Sequence, residues 1–122
     1  MNVAVIGASN NREKFGNKAV RAYLAHGHSV YPVNLREAKV EGIAAYRSLL
    51  DIPVDLDATL VYVPPEVTLR LLPAIARKRP GELYLNPGSE DDAVVARAAE
   101  LGLKPILACS ILAIGDRPAN YR

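Results

Sequence analysis

Five short apolar runs alternate with helix-length amphipathic stretches along this chain of 122 residues, and that alternation leaves few folds open. The runs cover residues 3–6, 29–33, 58–63, 83–85 and 104–108. Most lack a period of two, as expected of strands buried on both faces of a parallel sheet. The first helix is predicted over residues 16–26, with Val20, Tyr23 and Leu24 on one face and Gly27 as its stop. The connection over residues 36–52 carries a turn of helix near Ser48-Leu49-Leu50. Another helix follows Pro64-Pro65, with Val67, Leu71 and Ile75 at four-residue spacing. Pro73 sits inside that pattern and predicts a kink, because it cannot donate to the Leu69 carbonyl. The last helix opens at Ser89-Glu90-Asp91-Asp92, with Ser89 as N-cap and the acids at the positive end of the dipole, and closes at Gly102. The expected fold is α/β: a Rossmann-like, doubly wound, five-stranded parallel sheet with helices on both faces. With the runs numbered in chain order, right-handed crossovers favour the order 3-2-1-4-5. No repeat or linker is visible, so residues 1–122 are expected to form one domain.

Bulk properties exclude several classes. Net charge is only +2 and no long basic run occurs, which argues against a nucleic-acid partner. The single cysteine, Cys109, excludes an internal disulfide and fits a reducing compartment. The first apolar stretch ends at Gly7, too early for a signal-peptide core, and no 18-residue apolar segment follows. A cytoplasmic protein without a membrane partner is expected.

In such a sheet, ligands bind at the carboxyl ends of the strands, near the point where strand order reverses. The first run leads into Gly7-Ala8-Ser9, then a polar loop, then Phe15-Gly16 and a helix. The common dinucleotide fingerprint would need glycines at positions 9 and 12, where this chain has Ser9 and Arg12. The loop still suits phosphate. Gly7 allows close backbone approach, Ser9 can donate, Arg12 and Lys14 can neutralise charge, and Gly16 opens a helix whose N–H groups face an anion. Gly7 as a simple turn, with Arg12 and Lys14 solvated, is the plainer alternative.

The second run ends at Val33-Asn34, followed by Arg36 and Lys39. An NAD site wants a carboxylate here for the ribose hydroxyls. A neutral amide beside cations instead suits a phosphorylated ribose: coenzyme A with its 3′-phosphate or, second, NADP. A surface turn with stray cations is the alternative, strongest for Lys39. The third run ends at Val63-Pro64-Pro65, a rigid apolar ledge for an adenine face, although Pro65 also simply starts a helix well. Asn86-Pro87-Gly88, after the fourth run, reads as ordinary turn chemistry.

Catalytic groups are scarce, and no catalytic residue is nominated. His26 and His28 flank Gly27, but no cysteine or acidic cluster joins them, so no metal site is expected. Asp55 and Asp57 precede the third run, away from the crevice, and read as a solvated turn. Glu90, Asp91 and Asp92 read as helix-start acids. Cys109 has no adjacent cation to activate it and reads as a small buried hydrophobe; a mixed disulfide with a thiol cofactor lacks support.

The segments VAVIGASNNREKFGNKAVRAYLAHGHSVYPVN, EGIAAYRSL and VDLDATLVYVPPEV resemble the small stand-alone CoA-binding domain proteins, related to the N-terminal domain of the succinyl-CoA synthetase alpha subunit. The resemblance runs over roughly the whole chain and is strongest across residues 3–67. It implies a Rossmann-like fold and coenzyme A as ligand. It implies that Gly7, Ala8, Ser9 and Arg12 line the phosphate loop and that Val33, Asn34 and Arg36 lie near the ribose and 3′-phosphate. Val63, Pro64 and Pro65 would touch adenine or the pantetheine arm. Cys109 falls where many members carry a cysteine. The C-terminal third departs from the pattern. Asn86-Pro87-Gly88 stands where members often have a glutamine before glycine. Leu107-Ala108 and Ala113-Ile114 stand where members often have charged or His-containing pairs. In the synthetases a catalytic histidine lies in a later domain.

The expected function is therefore binding of coenzyme A or an acyl-CoA by a small non-catalytic binding or sensing domain. The alternatives are an NADP-binding or redox-sensing module, or an interaction domain that has lost its nucleotide. The expected partner is a small-molecule nucleotide cofactor, with a protein partner or homo-oligomer left open.

Overall fold

The computed structural model describes residues Met1–Arg122. The five apolar runs become β1 (Asn2–Ile6), β2 (Ser29–Val33), β5 (Ala58–Val61), β6 (Glu82–Leu85) and β7 (Ile106–Leu107) of one parallel sheet. A two-stranded antiparallel hairpin, β3 (Lys39–Val40) and β4 (Ile43–Ala44), lies in the connection after β2. The helices are α1 (Phe15–Ala25), α2 (Pro65–Lys78), α3 (Asp92–Glu100) and the short α4 (Ser110–Ala113). A 3-10 turn over Leu49–Asp51 is capped by the Ser48 hydroxyl, which accepts from the Leu50 N–H.

The class is as expected, but one strand sits elsewhere. The order is β2-β1-β5-β6-β7, which is 2-1-3-4-5 in run order and not 3-2-1-4-5. The third strand lies against β1, on the side away from β2. The reason is local. The outer edge of β2 is already taken, because Tyr46 donates its N–H to Pro32 and accepts from the Asn34 N–H. The connection that would have been a crossover helix is instead this edge-covering segment and the β3–β4 hairpin. The chain winds one way from β1 to β2 and the other way from β5 to β7. With right-handed crossovers, that reversal puts helices on both faces.

The two faces carry two cores. Val3 and Val5 of β1 and Leu60 of β5 pack with Ala19, Val20 and Tyr23 of α1 and Ile111 of α4. Ala4 and Ile6 pack on the other face with Leu72 and Ile75 of α2 and Val94 and Ala98 of α3. Each fully buried Val, Leu or Ile adds about 1.5–3 kcal/mol, more than a typical neutral hydrogen bond at about 0.5–1.5 kcal/mol, so these cores dominate stability.

Three further expectations are corrected. The buried face of α2 centres on Thr68, Leu72 and Ile75, with Val67 and Leu71 at its margin. Pro73 lies inside α2 as the sequence places it, at an exposed position where water can serve the carbonyl it leaves unpaired. The N-cap of α3 is Asp91, whose side chain accepts from the Val94 N–H, because Ser89 is occupied in the preceding turn. Strand β7 is an exposed two-residue edge and not a buried strand. No helix is long and apolar enough to cross a membrane.

Candidate functional site

The reversal point lies between β1 and β5, and a cleft of about 660 Å³ opens there at the carboxyl ends of the strands. One wall is the loop from Gly7 to Gly16. Gly7 turns the chain out of β1 at φ +88°, and a Cβ on it would stand 2.6 Å from the Tyr62 carbonyl oxygen. A Cβ on Gly16 would collide with the Gly7 carbonyl, so α1 starts directly against the end of β1. Two jobs of the dinucleotide fingerprint, the tight turn and the close helix–strand approach, are thus done by glycines nine residues apart in number, 7 and 16. The position between them that usually carries a glycine carries Ser9.

The loop backbone is held by short amides. Asn34 Nδ2 donates to the Ala8 carbonyl at 2.8 Å, and its Oδ1 accepts from the N–H groups of Arg36 and Glu37, each at 2.7 Å. Because a peptide is planar and trans, fixing the Ala8 C=O also fixes the Ser9 N–H on its opposite side. Asn17 Nδ2 does the same for the Ser9 carbonyl at 2.7 Å. Asn10 binds the hairpin through the Lys39 carbonyl and the Glu41 N–H. The consequence is a set of unused donors on residues that line the cleft. The N–H groups of Ala8, Ser9, Phe15 and Gly16 find no acceptor within the chain. The start of α1 has no side-chain cap and no acid in its first turn. Lys14 lines the cleft and no carboxylate does.

The opposite wall is the turn from Asn86 to Ser89 with Cys109. Asn86 is buried. Its Nδ2 donates to the Val61 carbonyl, and its Oδ1 accepts from both the N–H and the hydroxyl of Ser110. With the Ser110 hydroxyl so committed, Tyr62 donates its O–H to Ser110 Oγ at 2.7 Å. Burial raises the phenol pKa of Tyr62 and of Tyr23, which donates to the Ser110 carbonyl, so both stay protonated donors at neutral pH.

Of the sequence-nominated residues, Gly7, Ala8, Ser9, Lys14, Phe15, Gly16, Asn34, Val63 and Pro64 line this cleft. Val33, Arg36, Lys39, Pro65 and Arg12 lie outside its lining. Arg12 pairs with Glu41 at 3.3 Å, and Arg36 and Lys39 are exposed and form no ion pair. His26 pairs with Asp116 at 2.9 Å, and no cluster of three metal-ligating side chains exists. Asp57 is more than a solvated turn residue: its carboxylate accepts the Asn2 N–H at 2.7 Å, at the sheet's amino end.

A family model described as a CoA binding domain matches residues 1–115. The chain belongs to this family. Curated relatives of this CoA-binding domain include the alpha subunit of ADP-forming acetate–CoA ligase II from Pyrococcus furiosus, 39% identical over 71 residues, covering 57% of this chain and 16% of the relative. The chain spans between 11% and 18% of the length of the curated relatives it matches. Among solved structures, a conserved hypothetical protein from Pyrococcus furiosus aligns at 31% identity with a TM-score of 0.80, covering 85% of this chain and 90% of that one. A protein from Thermus thermophilus aligns at 27% identity with a TM-score of 0.84, covering 93% and 87%.

The cleft of this CoA-binding domain also contains Tyr62, which sequence reasoning did not nominate, Asn86-Pro87-Gly88, which it read as a plain turn, Ser89, which it read as a helix cap, and the half-buried Cys109, which it read as a small buried hydrophobe. Asn86-Pro87-Gly88 is indeed a turn, closed by the Ser89 N–H on the Asn86 carbonyl. The available signal was position: these residues follow a parallel strand at its carboxyl end, as Gly7 does.

Proposed function

We propose that this chain binds coenzyme A or an acyl-CoA as a single, non-catalytic binding or sensing domain. The observation that carries the proposal is the group of four acceptor-free backbone N–H groups at one end of a cleft without carboxylates. Such a cradle suits a diphosphate, which offers many acceptor oxygens to backbone donors, to Lys14 and to the positive end of α1. Coenzyme A would supply thiol and thioester chemistry, while the residues of this chain hold and orient it. Ser9 Oγ accepts from the Asn11 N–H and keeps its own proton for a ligand oxygen. Val63 and Pro64 offer an apolar wall to adenine or the pantetheine arm. Asn34 is committed to the backbone on both sides, so it presents no carboxylate for a ribose diol, which disfavours NAD. Arg36 stands two residues beyond it, exposed and unpaired, and would meet a 3′-phosphate at the rim.

Calorimetry with coenzyme A, dephospho-CoA, NAD and NADP tests this. Coenzyme A is expected to bind about five-fold tighter than dephospho-CoA, the scale of one solvent-exposed ionic contact of about 1 kcal/mol. Arg36→Ala should erase that difference. Equal affinities in the parent protein would sink the 3′-phosphate assignment. Tighter binding of NADP would favour the redox-module reading, and no binding of any nucleotide would favour an interaction domain.

A further inference from the structure

Arg21 lies on α1 outside the cleft lining, yet its guanidinium joins three separate pieces of the molecule. Nε donates to Asn17 Oδ1 at 2.8 Å. One Nη donates to the carbonyls of Arg12 and Tyr121, each at 3.1 Å, and the other donates to the carbonyl of Arg122 at 3.2 Å. The Tyr121 ring lies 5.7 Å from the guanidinium carbon. Asn17 is fully buried and relays the contact, donating to the Ser9 carbonyl and, at 3.0 Å, to Glu41 Oε2. The segment over residues 116–122 is fastened to itself by Asp116. That carboxylate accepts from the Arg117 N–H, from Asn120 Nδ2 and from the Tyr121 hydroxyl, and pairs with His26.

We propose that Arg21 is a positioning residue for the anion loop, coupling residues 116–122 to the peptides of Ser9 and Arg12 without touching a ligand. The reason is peptide planarity. Holding the Ser9 carbonyl against α1 turns the Asn10 N–H to the opposite side, and that N–H also has no acceptor in the chain. Four acceptors around one planar fork are a task for arginine. A lysine ammonium keeps the charge and cannot span them. The functional consequence, tuned coenzyme A affinity, rests on the binding function proposed above; the coupling itself does not.

Two variants and two readouts decide it: amide NMR spectra of the free protein, and calorimetry with coenzyme A, for Arg21→Lys and Asp116→Ala. Both variants should move the amide resonances of residues 10–13 in the same direction. Coenzyme A affinity should fall about ten-fold in Arg21→Lys and about three-fold in Asp116→Ala, the range for coupled neighbours. Loop resonances that stay in place in Arg21→Lys would overturn the coupling, whatever the protein binds. Moved resonances with full coenzyme A affinity would overturn the role in binding and leave long-range charge as the contribution of Arg21. If the parent protein fails to bind coenzyme A, the binding function falls while the loop resonances still decide the coupling. Should Arg21→Lys not fold, Asp116→Ala carries the same decision from the other end of the network.

Discussion

On the β1 side of the cleft, Ser9, Asn10, Asn11, Asn17 and Asn34 each fasten loop backbone through their own hydrogen bonds. On the β6–β7 side, one buried carboxamide, Asn86, braces the wall by reaching Ser110, 24 residues away in sequence. The first wall has four acceptor-free N–H groups in the cleft lining, those of Ala8, Ser9, Phe15 and Gly16. The second has two, those of Gly88 and Cys109, and spends its buried side-chain polar groups on itself. The first also follows β1, buried from Val3 to Ile6, whereas the second ends at a two-residue exposed edge strand. On the binding function proposed above, ligand recognition falls mainly to the first wall and structural bracing to the second.

The largest expected effect breaks the first wall. Gly16→Ala drives a Cβ into the Gly7 carbonyl, where backbone leaves no room to yield. It should cost about 3 kcal/mol in denaturant unfolding, the upper end for overpacking, and remove nucleotide binding. A loss of under about 1 kcal/mol with binding intact would show that the helix can back away from the strand. Asn86→Ala, next in size, strands the buried Ser110 N–H, while the Val61 carbonyl keeps the residue-86 backbone N–H, and should cost about 2 kcal/mol. Measured below its unfolding temperature, its affinity for ADP should stay within about three-fold of the parent, roughly 0.6 kcal/mol. A larger loss would mean that the second wall also holds the phosphate end. The smallest effect is a control between the walls. Thr59 is fully buried and its hydroxyl has no partner, so Thr59→Val should stabilise the fold by about 1 kcal/mol and leave affinity alone. Destabilisation would reveal a partner for that hydroxyl.

The same contrast explains what was legible in sequence. Strand β2, the start of α1 and the Ser48 turn follow from nearby residues, because apolar runs, Gly7, Gly16 and a serine cap act over a few positions. The place of β5 in the sheet does not, since it depends on Tyr46 covering the edge of β2. Ser89 resembles a helix cap until its hydroxyl is claimed by the Asn86 carbonyl, which moves the cap to Asp91. Arg12 reads as a phosphate ligand until Glu41, held at φ 49° in the hairpin turn, arrives beside it from 29 residues away. Asn34 was legible as a departure from an acidic position. Its reason, a donor for the Ala8 carbonyl that no carboxylate supplies, needed the fold.

The central claim is that the backbone between Gly7 and Gly16 cradles the diphosphate of coenzyme A. The most direct measurement is an amide NMR titration of the protein with coenzyme A. The N–H resonances of Ala8, Ser9, Phe15 and Gly16 should move most and downfield, as each gains an anionic acceptor, with Gly88 moving less. Saturable binding that leaves those four resonances unmoved while others shift would contradict it.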